Sequence, residues 1–200
     1  MRIPMTVPWL TAAMLLAGCG ASGGPSTGDF LAGAHASLGQ HDAATAREWL
    51  VSAEPTLDNA SQRKEYELLM AEVDLRTGQA DLALPAMTRL LAWDPGDPRV
   101  HEIAGKAGLM LGEFADAREH FSTAVTAYAR DEDVSRAADL MALAQGFQEY
   151  ARGRHTAAED AWAGISDRQL RLDVLGASAE TIPHTGPTEG TLVRTHQSKR

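Results

Sequence analysis

The sequence holds a single cysteine, Cys19, in 200 residues. No intramolecular disulfide and no cysteine-rich zinc site can be built from it. Aromatic residues are scarce, at 6% of the chain, and cations are outnumbered, which leaves a formal net charge of −9. Nucleic-acid binders present basic patches, so an acidic balance of this size speaks against a nucleic-acid partner. There is no Walker loop, no Gly-x-Ser-x-Gly elbow and no His-Glu-x-x-His. The histidines are His35, His41, His101, His120, His155, His184 and His196, and no two of them stand four apart as a helical metal site requires. They read as solvated surface groups, with His41, His101 and His155 beside turns or helix starts. The acidic run Asp131-Glu132-Asp133 likewise reads as a solvated turn. No pair of carboxylates stands out as acid and base. The expectation is a protein that is not an enzyme, with no cofactor, no metal and no small-molecule substrate.

What the chain does have is alanine, within a hydrophobic fraction of 44%. Alanine-rich, aromatic-poor sequences favour closely packed helices. The length suits one domain with a tail. Arg2 is the only charge before Asp29, and 3–18 is an apolar run of 16 residues broken by Pro4 and Pro8. A spanning helix needs about 20 residues, so the run reads as the core of a signal peptide, 1–18. It ends Leu16-Ala17-Gly18-Cys19, which resembles the bacterial lipobox. The resemblance implies cleavage before Cys19 and acylation of that residue, a membrane anchor worth about 0.8 kcal/mol per buried methylene. It further implies the cell envelope. Gly20 stands where an aspartate would favour inner-membrane retention, so the outer membrane, facing the periplasm, is expected. The stretch 19–28 is rich in glycine and serine and reads as a flexible tether.

The body repeats. Gly78, Gly112 and Gly153 each separate two helical runs. Seven residues before each stands a small residue, Ala71, Gly105 or Gly146; five after, Ala83, Ala117 or Ala158; nine after, Met87, Phe121 or Trp162. All four positions shift together by 34 residues, then by 41. The extra seven residues are assigned to the turn around 130–136. The period and pattern, best seen in 104–125, resemble the tetratricopeptide (TPR) family. Asp94-Pro95 closes the second unit in the family's manner. A weaker first unit is read at 29–54, with its turn at Gly39. Asp97-Pro98 marks a helix start, as does the pair Thr156 and Glu159, and Ser166 with Gln169 marks a cap helix over 167–175. From 176 to 200 the pattern stops and disorder is expected. The fold expected over 29–175 is all-α: a TPR-like right-handed solenoid of about four helical hairpins plus a C-terminal capping helix.

In that family the first helix of each hairpin lines a concave groove that binds protein partners. Carried over by register, the groove residues are Glu65, Leu68, Glu72, Leu75 and Arg76, then Arg99, Glu102, Lys106, Leu109 and Met110, then Leu140, Leu143, Phe147, Tyr150 and Ala151. Phe147 and Tyr150 share a face; they either receive a partner's apolar anchor or pack against the cap helix. With Lys106 its only lysine, the groove lacks the clamp of chaperone-binding members. The resemblance extends to short TPR lipoproteins, including the TadD type of the Flp (Tad) pilus system. It implies a membrane-anchored scaffold assisting pilus or secretion-apparatus assembly, or alternatively an adaptor for peptidoglycan-remodelling enzymes.

Overall fold

A computed structural model describes residues 24–171. The signal peptide, Cys19, the tether up to residue 23, the end of the expected cap helix at 172–175 and the tail at 176–200 lie outside the described residues. Within them the chain is all-helical: α1 (Thr27–Gly39), α2 (Ala43–Ala53), α3 (Ala60–Arg76), α4 (Ala80–Trp93), α5 (Pro98–Leu111), α6 (Phe114–Ala127), α7 (Asp131–Ala151) and α8 (His155–Ala163). A last helical turn covers 168–171. Each helix packs against the next in sequence, and α1, α3, α5 and α7 also touch one another in series.

Four hairpins result, α1–α2, α3–α4, α5–α6 and α7–α8, and all four turn the same way. The left-handed residue at each turn is His41 (φ 61°), Gly78 (φ 78°), Gly112 (φ 81°) or Gly153 (φ 74°). The residue after it donates its N–H to a carbonyl five positions back: Asp42 to Ser37 at 2.9 Å, Gln79 to Asp74 at 2.7 Å, Glu113 to Gly108 at 2.8 Å, Arg154 to Glu149 at 3.0 Å. The left-handed residue itself donates to the carbonyl three back. These paired bonds satisfy carbonyls that the helix end leaves open.

The first turn therefore pivots on His41, not on Gly39, which lies inside α1. Counting from His41 brings the first unit into register with the others: Ala34 seven before, Ala46 five after, Leu50 nine after, all fully buried. The spacing from the first turn to the second is then 37 residues, from 41 to 78. The start of the first helix moves as well. Ser26, assigned to the tether, is the N-cap of α1, and its side chain and that of Asp29 cap one another's backbone. Thr27 secures that end to the short 3-10 turn Glu54–Thr56 that follows α2, its hydroxyl donating to the Thr56 carbonyl at 2.7 Å.

The seven extra residues of the fourth unit are not in a turn. They lengthen the helix: α7 has 21 residues where α5 has 14. Seven residues are close to two full turns, so the insertion returns each side chain nearly to its original face, about 20° out per heptad.

The hairpins are held by one large side chain seated against one small one. Phe121 and Trp162 lie over Gly105 and Gly146, whose added Cβ atoms would sit 2.6 and 2.0 Å from the rings. Where the small residue is alanine, at Ala34 and Ala71, the large one is aliphatic, Leu50 or Met87. Size on one helix is thus matched to size on the other, and packing stays dense. Each of these large side chains is buried to 2% exposure or less, contributing about 1.5–3 kcal/mol apiece.

The start of α5 is as expected, with Asp97 accepting from the Arg99 and Val100 N–H groups ahead of Pro98. Thr156 does not cap α8, which begins at His155 without a side-chain cap. At the C-terminal end Asp167, not Ser166, is the capping residue, accepting from Leu170 N–H at 3.0 Å. The Ser166 and Asp167 N–H groups are taken by the buried carboxylate of Asp139 on α7 at 2.7 and 2.9 Å.

Candidate functional site

The face of α3, α5 and α7 carries the residues that register assigned to a groove, and the side chains divide into two kinds. One is a chain of charges running between units. Glu65 on α3 holds Arg99 on α5 through two bonds of 2.8 and 3.1 Å. That carboxylate keeps the Arg99 guanidinium above its ordinary range. Glu72, half-buried on α3, adds its charge to the same guanidinium. Glu102 on α5 is then the hub of the next junction. Arg136 on α7 reaches both of its carboxylate oxygens, at 2.8 to 3.3 Å. Lys106 donates to it at 2.6 Å from one helical turn on, and the Tyr128 hydroxyl at 2.6 Å. Glu65 and Arg99, and Glu102 and Arg136, are each 34 residues apart; a carboxylate on one first helix meets a guanidinium on the next at both junctions, though at different positions of the repeat.

Glu102 is 5% exposed. Burial alone would raise its pKa, but the Arg136 hydrogen bond, with the charge and hydrogen bond of Lys106 and the bond from Tyr128, outweighs it and brings the value to about 2. Burial and the neighbouring Glu102 carboxylate push the Tyr128 phenol upward, which keeps it a proton donor to Glu102. Arg136 also bonds Asp133 at 2.8 Å, and Arg130 bonds the same carboxylate at 2.7 Å. Asp133, expected in a solvated run, is therefore covered by two guanidiniums at the start of α7, and the Arg130 bond leads in holding its pKa below the ordinary carboxylate range.

The second kind is apolar. Leu109, Leu143, Phe147 and Tyr150 gather in one cluster with Trp162, Ile165 and Leu170. Phe147 stacks on Phe114 with ring centroids 5.6 Å apart and meets Trp162 edge-on at 5.4 Å. Tyr150 meets His155 edge-on at 4.9 Å. The two rings thus cover the last hairpin and the segment that follows it. Leu68 is 1% exposed and lies in the core with Ala80 and Met87, with Leu75 packed against that core. So of the groove residues assigned by register, Glu65, Glu72, Arg99 and Lys106 keep partly open polar side chains and Arg76 is exposed. Leu68 and Leu143 are core, and Phe147 and Tyr150 are lining over it.

His101 was read as a solvated surface group. It is buried, with Nε2 bonded to the Pro95 carbonyl at 2.9 Å and Nδ1 facing His120 Nδ1 at 3.0 Å. Both rings line a cavity of about 380 Å³ between α4, α5 and α6. Among the described residues, no group of three or more His, Cys, Asp or Glu side chains is placed to hold a metal ion.

No protein-family model, no curated protein and no solved structure matches the chain.

The Glu102 hub had a legible signal. An acidic residue on the first helix of one unit and an arginine 34 residues later on the next occur twice, at 65 and 99 and at 102 and 136, although at the second place the repeat itself shifts by 41. Tyr128 and the burial of Glu102 had none, because both depend on how α6 leads into the lengthened α7.

Proposed function

We propose that the chain is a TPR-type scaffold: a right-handed solenoid of four helical hairpins, held at a membrane through acylated Cys19, that binds protein partners along the face formed by its odd-numbered helices. The observation that carries this reading is the fourfold use of one hairpin, with the same left-handed turn, the same turn bond and the same large-on-small contact. Stacked hairpins of one kind present equivalent positions at regular intervals, which suits an extended partner segment. The series of contacts from α1 to α3 to α5 to α7 supports the first helices lying together along one side. That face offers Glu72, Arg99 and Lys106, so the partner segment is mixed in charge. The accompanying task is help in assembling a pilus or secretion apparatus, as the lipobox-like tetrad together with the repeat implies.

Among the described residues no helix is long and apolar enough to cross a membrane. The attachment proposed for the whole chain is the lipid on Cys19. The reading is tested by isolating the intact acylated protein from membranes under mild detergent and identifying what co-purifies by mass spectrometry. Secretin, pilus ATPase or platform components lost on Glu72→Arg support it. Recovery of the same set with Glu72→Arg overturns binding along the odd-helix face, and recovery of cell-wall enzymes alone overturns the assembly role.

A further inference from the structure

His101 on α5 and His120 on α6 meet head-on inside the third hairpin. Their Nδ1 atoms are 3.0 Å apart and their ring centroids 5.3 Å apart. The difference is one ring radius on each side, so both Nδ1 atoms lie on the line joining the rings. That is the geometry of an N–H···N hydrogen bond. An ion held between head-on nitrogens would need them about 4 Å apart.

The proton positions follow from the neighbours. A carbonyl only accepts, so the bond to Pro95 places a hydrogen on His101 Nε2. In the neutral ring His101 Nδ1 is then a lone pair, and the shared proton belongs to His120 Nδ1. His120 Nε2 carries the remaining lone pair.

We propose that the pair is an acid-opened latch joining α5 to α6, closed while the two Nδ1 atoms share one proton and opened when each ring carries its own. The first added proton goes to His120 Nε2 and leaves the N–H···N bond intact. The second must go to His101 Nδ1. There it faces the His120 N–H directly, and two positive rings meet with no acceptor between them. Separation of the rings is the only relief, and it widens the cavity whose wall they form.

The surroundings set how firmly the latch is held. Asp116 and Glu119 on α6 and Glu113 at the end of the turn after α5 line the same cavity. From α4 the wall is Leu84 and Thr88, which do not titrate, and no α7 residue lines it. Glu102, next to His101 on α5, is taken up by Arg136 and Lys106. Burial, then the neighbouring His101, holds the His120 pKa below the ordinary histidine range, while Glu119 and Asp116 pull it back. The carboxylates thus favour uptake of the first charge, which leaves the bond intact, and opening waits for the second.

Ring ¹⁵N NMR of the full chain near neutral pH is the first test. The Nδ1–H tautomer at His120 with the Nε2–H tautomer at His101 is expected, and Nε2–H at His120 overturns the proposal. The second is the melting temperature of wild type and His120→Gln between about pH 7 and pH 5. The glutamine amide still donates to His101 Nδ1 but does not titrate. The wild type is expected to lose more on acidification than the variant; parallel curves overturn the latch. If the variant does not fold, the tautomer measurement decides alone.

Discussion

At Gly146 a single hydrogen atom sets how closely α7 and α8 approach. A Cβ there would lie 2.0 Å from Trp162 Nε1, and the indole is held in place by its bond to the Leu143 carbonyl at 3.3 Å. Helix propensity alone says that Gly→Ala stabilises by about 1 kcal/mol. The contact says the reverse, since overpacking costs about 1–3 kcal/mol. Gly146→Ala is expected to lower stability in urea titrations, and Trp162→Leu is expected to recover much of the loss in the double variant. Additive effects would show that the two do not share one contact. Glu102 is the other residue on which much depends. Its folded pKa lies below the unfolded value, so the unfolded chain binds more protons in between. Its contribution is therefore complete above about pH 4.5 and is lost as pH falls toward 2. Because Arg136 and Lys106 are partly solvated, that contribution is on the order of 2 kcal/mol at most. Glu102→Gln should lose about this much near neutrality and flatten the acid limb of the stability profile. An unchanged acid limb would mean that other carboxylates govern it.

At the scale of the hairpin, the turns carry the information. The three glycines were legible because left-handed backbone is cheap only for glycine. The first unit was misread for the same reason: its left-handed residue is His41, and the nearby glycine drew the register two residues off. Ala34, Ala46 and Leu50 held the correct register throughout. His41→Gly is accordingly expected to raise the melting temperature, and Gly112→Ala to lower it, each by the equivalent of about 1 kcal/mol. The opposite order in thermal unfolding would remove the equivalence of the four turns. The location of the insertion was not legible, because seven residues change the spacing between glycines equally whether they form a loop or two helical turns. Asp131-Glu132-Asp133 looked like a loop by charge, yet acidic residues also suit a helix N-terminus, where α7 uses them. The apolar end of the groove was legible as residues but not as a surface. Phe147 and Tyr150 share a face as expected, and what decides their use is Trp162 and the segment around Ile165 packing against them.

At the scale of the whole molecule, the core is segmented, with successive clusters shared between neighbouring hairpins. Between hairpins the contacts are ionic as well as apolar, through Arg47 and Asp74, Glu65 and Arg99, and Glu102 and Arg136. Built this way, the odd-numbered helices stay in contact in series along the described residues. The proposed anchor is tested separately from the fold, since Cys19 lies outside the described residues. Cys19→Ala is expected to move the protein from the membrane to the soluble fraction with an unchanged circular dichroism spectrum. Retention in the membrane fraction would remove the lipid anchor from the account. The central claim is that the odd-helix face binds a protein segment. The most direct measurement is site-specific photo-crosslinking in intact cells from positions 72 and 106 on that face, compared with exposed positions 115 and 118 on α6. Discrete protein adducts are expected from 72 and 106 and none from 115 and 118. Adducts from α6 alone, or none from either face, would contradict the claim.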